Sequence, residues 1–190
     1  MARWQPGTRE RLQATALELF RTQGYDDTTV AQIAAAAAVT ERTFFRHFTD
    51  KREVLFAGQV DFVAVFVDPI EQAPADTPPF DLVTRALDSA SGFFPEDHRP
   101  WSRTRQTIIS TNAALAEREL GKLAALKVRL ADALRDRGVA EPAATMAAET
   151  TVTVFHLSFA QWIADGEARP FATIVHERLD ALTNLVRPAR

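Results

Sequence analysis

Four basic side chains, Arg42, Arg46, Lys51 and Arg52, fall within one short stretch, with His47 among them and only Glu41 and Asp50 opposing them. A guanidinium fork can donate to guanine O6 and N7 together, and an ammonium or guanidinium neutralises a phosphate, so this set has the chemistry to read and hold a duplex. Charge alone would equally describe an ordinary solvated face. What separates the two readings is the element that carries these residues. Thr40 fits an N-cap, with Val39 before it and Phe44 at the fourth helical position, the spacing of a hydrophobic staple. Phe44 and Phe48, four apart, then share one face, and Arg42, Thr43, Arg46 and His47 are left on the outer ones. Upstream, Thr29 and Gln32 fit a capping box that opens a short alanine-rich helix, and Ala37-Ala38-Val39 makes the tight turn between the two helices. The pair reads as a helix-turn-helix, whose second helix can enter a major groove about 12 Å wide. Lys51 follows at the start of the next helix, beside free backbone N–H groups that suit a phosphate. Glu41 is read as a capping charge at the helix start.

The rest of the composition narrows the classes. The 190 residues are 46% hydrophobic, enough for one large core or two small ones. Without cysteine there is no disulfide framework, thiolate metal site or thiol catalysis. A net charge of −3 disfavours unspecific coating of nucleic acid, which depends on neutralising many phosphates. The opening segment, Met1 to Pro6, is not an apolar signal core, and a cytoplasmic protein is expected. His176-Glu177 lacks the second histidine of a zinc-protease helix, and neither G-x-S-x-G nor a glycine-rich phosphate loop occurs. No enzyme, cofactor or metal is expected. The rival without DNA binding is an all-helical ligand carrier or interaction bundle.

Apolar residues recur three and four apart with no sustained alternation, so the fold class is all-α, with about nine helices. The first should run from about Thr8 to Gln23, with Gly24 as its stop. Asp50 with Glu53 resembles a further capping box, opening a fourth helix that runs to about Val67 and is ended by Pro69. Later helices are expected at about Pro79 to Phe93, Arg99 to Thr111, Ala113 to Arg137, Pro142 to Ala164 and Pro170 to Val186.

Residues 29 to 55, TVAQIAAAAAVTERTFFRHFTDKREVL, resemble the second to fourth helices of the TetR family, and RERLQATALELFRTQGYDDTT upstream resembles its first helix and Gly-Tyr turn. The resemblance covers roughly the first third of the chain. It implies an amino-terminal three-helix DNA-binding domain, residues 1-50, and a helical effector-binding and dimerisation domain, residues 51-190. It also implies that Thr40, Arg42, Thr43, Phe45, Arg46, His47 and Lys51 approach DNA; Thr28 and Thr29, at the head of the preceding helix, complete the DNA-binding set. Two residues depart from the family pattern: Ala38 stands where it usually has glycine, and Phe45 where it commonly has tyrosine, whose hydroxyl reaches a phosphate.

The expected function is a transcriptional repressor that binds operator DNA as a homodimer and is released by a small, largely apolar effector. The dimer would form through the last two helices, with Val152, Phe155, Phe159, Ile174, Leu179, Leu182 and Leu185 as available apolar surface, some of which must face the protomer's own core. Phe62, Phe66, Trp101, Phe155, Phe159 and Trp162 read mostly as core, and their density suggests that some of them line a cavity, with Thr107, Asn112, His156 or Gln161 giving polar selectivity; His156 alone reads more readily as a hydrogen-bonded core histidine. Arg103, Arg105 and Asn112 are expected chiefly on the surface, with pocket roles as the lesser alternative. The fourth helix, running on from Lys51, is expected to transmit the effector's signal.

Overall fold

A computed structural model describes residues 7–57 and 59–186; the opening segment, Met1 to Pro6, lies outside the described residues. These residues form ten α-helices and one 3₁₀ turn, with no strand among them. The described residues divide into two compact units, one of residues 7–57 with Thr104–Arg118, the other of residues 59–103 with residues 119–186.

The first unit is built from short pieces. Helix α1, Thr8–Gln23, buries Leu12, Ala16, Leu17 and Phe20 and stops at Gly24, whose φ of 92° lies in the left-handed region open to glycine. Helices α2, Val30–Ala36, and α3, Glu41–His47, follow. Between them the N–H of Val39 donates to the carbonyl of Ala34 at 2.9 Å, and that of Ala38 to the carbonyl of Ala35 at 3.1 Å. This pair of bonds is a Schellman ending, and it puts Ala38 at φ 54°. The left-handed conformation is thus adopted by alanine, at a cost glycine would avoid. Helix α4 is the single turn Glu53–Phe56. A common apolar core joins α1 to α4 with Ile108, Ile109 and Leu115 from the later segment.

The expected fourth helix is in fact two. After Phe56 the chain turns out of helical geometry at Ala57, with ψ 140°, and α5 occupies Gln59–Glu71. Pro69 does not end α5; it sits inside its last turn, where its missing N–H removes one bond and few remain to be broken.

The second unit contains α5, then α6 (Pro79–Gly92), a 3₁₀ turn at Glu96–His98, and α9 (Ala143–Trp162) with α10 (Phe171–Val186). Helices α7 (Arg99–Ser110) and α8 (Ala113–Asp136) contribute residues to both units. The end of α9 is closed by arginines from α7: Arg103 donates to the carbonyls of Ile163 at 2.7 Å and Ala164 at 2.9 Å, and Arg99 to those of Glu167 and Arg169. The Arg103 cation thus stands just past the negative end of the α9 dipole, and Arg99 ties down the loop that leads to α10. Among the described residues no helix is long and apolar enough to cross a membrane.

Candidate nucleic-acid interface

Each sequence device that should place α3 is present in the structure. The Thr29 hydroxyl accepts from the Gln32 N–H at 3.2 Å while the Gln32 carboxamide oxygen accepts from the Thr29 N–H at 2.8 Å, closing the capping box of α2. The Thr40 hydroxyl accepts from the Thr43 N–H at 3.2 Å and shares a hydrogen bond with the Thr43 hydroxyl at 3.0 Å. Phe44 and Phe48 are buried with ring centroids 5.5 Å apart, and Val39 packs on the same core. With that face inward, Arg42, Phe45 and Arg46 are exposed, Phe45 at 53%. Arg42 and Arg46 make no hydrogen bond or ion pair with the described residues. Two unpaired guanidinium groups and an exposed ring on one helix can therefore meet base edges and phosphates without first breaking an internal bond. Thr43 and His47 are half-buried, and the Nε2 of His47 is enclosed without a partner.

Two of the expected contacts are placed otherwise. Thr28 is fully buried; its hydroxyl donates to the carbonyl of Gly24 at 2.7 Å and accepts from the Gln23 carboxamide at 3.2 Å, so it holds the α1–α2 turn and does not face outward. The Lys51 ammonium donates to the carbonyls of Tyr25, Asp26 and Thr28 at 2.8, 3.1 and 2.9 Å. It also lies 4.5 Å from the Tyr25 ring centroid. Those three bonds use all its hydrogens, so Lys51 ties the α1–α2 turn to the end of α3 and has no N–H left to direct at a phosphate. Partial burial, with Asp50 nearby, pushes the Tyr25 phenol up to about 12. The ring under the ammonium thus stays neutral. Asp50 accepts from the N–H groups of Arg52 at 2.8 Å and Glu53 at 3.1 Å. Partial burial acts to raise its carboxyl, but the Arg52 side chain and N–H outweigh it and hold the carboxyl below its usual range.

Sequence reasoning missed Arg9, Arg11 and Arg105. Arg11 donates to the carbonyl of Ala37 at 3.3 Å, at the C-cap of α2, and Arg9 lies 5.7 Å from the Phe48 ring centroid. Arg105 is buried, not on the surface, and donates to the carbonyl of Leu55 at 2.7 Å. Their partners lie 26 and more residues away, beyond any local pattern.

Of the expected effector set, Phe62, Phe66, Phe155, Phe159 and Trp162 come together with Phe94 and Phe171 in the second unit, neighbouring ring centroids standing 5.2 to 6.0 Å apart. They pack on one another. His156 is exposed, since it follows buried Phe155 by about 100° around α9. Trp101 is 36% exposed. Thr107 and Asn112 belong to the first unit, and Asn112 donates to the Asp26 carboxylate at 3.2 Å. Neither of two clefts on the α9 and α10 side, of about 420 and 510 Å³, is lined by these rings. Of the apolar residues offered for a dimer surface, Val152, Phe155, Ile174 and Leu179 are the ones that face the protomer's own core. On the outer face of α9 and α10 stand Met146, Leu157 and Leu185, each more than half exposed.

Residues 12–57 match the family model described as bacterial regulatory proteins, tetR family, and residues 77–187 match that described as MftR C-terminal domain. The chain is 42% identical over 85 residues to the HTH-type transcriptional regulator TcmR of Streptomyces glaucescens, a match covering 45% of this chain and 38% of that one. It is 48% identical over 50 residues to SrpR of Pseudomonas putida, covering 26% and 24%. These matches span less than two fifths of either relative. Two solved structures share the fold over nearly the whole chain. Thermus thermophilus FadR, a TetR family transcriptional repressor in complex with lauroyl-CoA, has a TM-score of 0.57 and 22% identity over 96% of each chain. The fatty acid degradation regulator FadR from Bacillus halodurans has a TM-score of 0.63 and 15% identity over 98% of this chain and 100% of that one. With both its amino-terminal helices and its carboxy-terminal region accounted for by these models, the chain belongs to the tetR family of bacterial regulatory proteins.

Proposed function

We propose that the chain is a DNA-binding transcriptional regulator, a cytoplasmic repressor that a small, largely apolar effector releases from its operator. The observation that carries the reading is the outer face of α3, where Arg42 and Arg46 stand unpaired beside exposed Phe45 on a helix pinned from behind by Phe44 and Phe48. Arg42, in the first turn, is assigned to a base edge, and Arg46, Phe45, Thr40, Thr43, His47 and Thr29 to neighbouring base and backbone contacts. Lys51 contributes by fixing the turn beneath α3.

One such helix meets few bases, and a two-fold pair would set two of them in successive major grooves about 34 Å apart. The exposed side chains Met146, Leu157 and Leu185 support a homodimer through α9 and α10. For the effector, the rings around Phe155 offer an apolar environment that a ligand would enter by displacing side chains, and the lauroyl chain of the acyl-CoA held by the Thermus thermophilus protein is of that chemistry. An effector bound more tightly by the DNA-free form must weaken DNA binding by the factor by which DNA weakens it. The test is a mobility-shift titration against the DNA flanking the chain's own gene, alone and with medium-chain acyl-CoA, alongside light scattering. A sequence-specific shift by a dimer, reversed by the ligand, is expected. Equal binding to unrelated DNA, or none, would favour an all-helical ligand carrier instead.

A further inference from the structure

Helix α4 is one turn long, too short to hold itself by its own hydrogen bonds. Three side chains of the segment Thr104–Arg118, all within the first unit, grip it and its surroundings. Arg105 is 8% exposed; its Nε donates to the carbonyl of Leu55, which α4 leaves without an internal partner, and its guanidinium lies 5.3 Å from the Phe56 ring centroid. Arg118 pairs with Glu53 and covers the same ring, 4.8 Å from its centroid. Asn112 reaches the carboxylate of Asp26 at 3.2 Å, in the turn that Lys51 holds through the carbonyls of Tyr25, Asp26 and Thr28. The first and last residues of α4 and the α1–α2 turn are thus all tied to a segment some fifty to ninety residues downstream. On the other side α4 leads into the non-helical residue Ala57, so it gains no support from a continuing helix.

Arg105, Arg118 and Asn112, we infer, are positioning residues for DNA reading: they hold α4 and the α1–α2 turn, and through Asp50 and Lys51 they set how α3 is presented. The inference rests on the regulator reading above. None of the three is assigned a DNA contact. If only a fraction of molecules keep α3 in the competent geometry, apparent affinity falls by that fraction while the contacts made once bound are unchanged.

The experiment compares the full-length protein with Arg105→Met, Arg105→Lys, Arg118→Gln and Asn112→Ala. Binding to the flanking duplex is measured across a salt series, and amide hydrogen exchange without DNA. For Arg105→Met, a lost buried charged hydrogen bond should weaken binding about tenfold. The slope of log affinity against log salt should stay constant, whereas losing a phosphate contact, as in Arg46→Ala, lowers it by about 1. Exchange should quicken in Glu41–His47 and Glu53–Phe56 but not in Ala143–Trp162. Arg105→Lys, which can still donate to the Leu55 carbonyl, should recover most of both effects. Arg118→Gln and Asn112→Ala, at partly exposed side chains, should each give about threefold and decide the matter if Arg105→Met does not fold. Unchanged exchange in Glu41–His47, or a salt slope lowered by a unit, overturns the inference. If the unaltered protein fails to bind the duplex, the regulator reading falls, and the exchange data alone still decide whether these side chains hold α3.

Discussion

Phe44 and Phe155 are both buried rings on helices, yet their neighbourhoods are built on different principles. Around Phe44 the helices α2 to α4 are seven residues or shorter, and each is fixed by directional polar bonds: Thr29 and Thr40 at N-caps, Arg11, Lys51 and Arg105 on carbonyls. Around Phe155 the helices run to 20 residues, and the space between them is taken by rings, with Phe62, Phe66, Phe94, Phe159 and Phe171 all within 6.0 Å of its centroid. Dispersion and area burial are indifferent to direction, so a ring cluster gives much stability and tolerates rearrangement, while hydrogen bonds give less energy but define position. A helix that meets a groove needs position; under the proposed function, a core that admits an apolar guest needs tolerance.

The sharpest way to break that comparison is in the ring cluster. Phe155→Ala removes contacts with five rings and should cost about 3–5 kcal/mol of unfolding free energy by chemical denaturation. A loss under about 1.5 kcal/mol would mean that the cluster collapses into the space or is less well packed than its ring distances imply. Next in size is Lys51→Met, which leaves three carbonyls without their charged donor and should cost about 2 kcal/mol. Its salt slope for DNA binding should be unaltered. If stability held and the slope fell by about one, Lys51 would be a phosphate contact after all. Arg42→Ala reverses the pattern: an exposed, unpaired side chain whose loss should leave the unfolding midpoint unmoved and weaken specific DNA binding by about 1–3 kcal/mol, with relaxed preference at one base pair per half-site. Operator affinity and selectivity both unchanged would move the base contact elsewhere on α3.

A smaller, pH-dependent effect belongs to the α9–α10 turn. Hydrogen bonds from the Arg169 side chain and N–H and from Gln161 hold the Glu167 carboxyl far below its ordinary value. A lowered folded value contributes stability that is present above the unfolded value, near 4.5, and lost as pH falls below it. Thermal unfolding followed from pH 6 to pH 3 should therefore show a smaller acid-induced drop for Glu167→Gln than for the unaltered chain. Parallel curves would show that the carboxylate gains nothing from those partners.

The two regions also differ in how they are written in the sequence. The capping box of Thr29 and Gln32, the Thr40 cap and the inward pair Phe44 and Phe48 involve residues within four positions, so helix geometry alone decides them. Lys51 looked like a phosphate ligand because its three carbonyls lie 23 to 26 residues back, where no spacing rule reaches. Arg105, expected on the surface, is buried for the same reason, its partner lying 50 residues away, and Asn112 stays partly exposed but is bound to Asp26, 86 residues back. Thr28 shows how fine the margin is, since one residue separates an exposed cap from a fully buried hydroxyl. In the bundle, aromatic density identified the residues that meet but not whether they surround a space or fill it, because the same apolar surface serves either purpose.

The smallest expected effect concerns Ala38, the residue at which the turn into α3 departs from the resemblance and the structure carries the consequence. Its φ of 54° closes the Schellman ending of α2, with the Val39 and Ala38 N–H groups on the Ala34 and Ala35 carbonyls. An L side chain in that conformation costs about 1–2 kcal/mol. Glycine there avoids the clash but gives the unfolded chain more freedom, an opposing term of about 0.5–1 kcal/mol. Ala38→Gly should therefore stabilise the protein by about 0.5–1 kcal/mol, read as a higher denaturation midpoint at constant denaturant slope. Ala38 is exposed, so nothing is lost in packing when its methyl goes. Because the bonds on either side of the turn are kept, DNA affinity should hold or rise slightly. A destabilised Ala38→Gly would mean that the turn relies on restricting the unfolded chain more than on relieving strain, and that the polar bonds around α3 are strong enough to keep a strained residue in place.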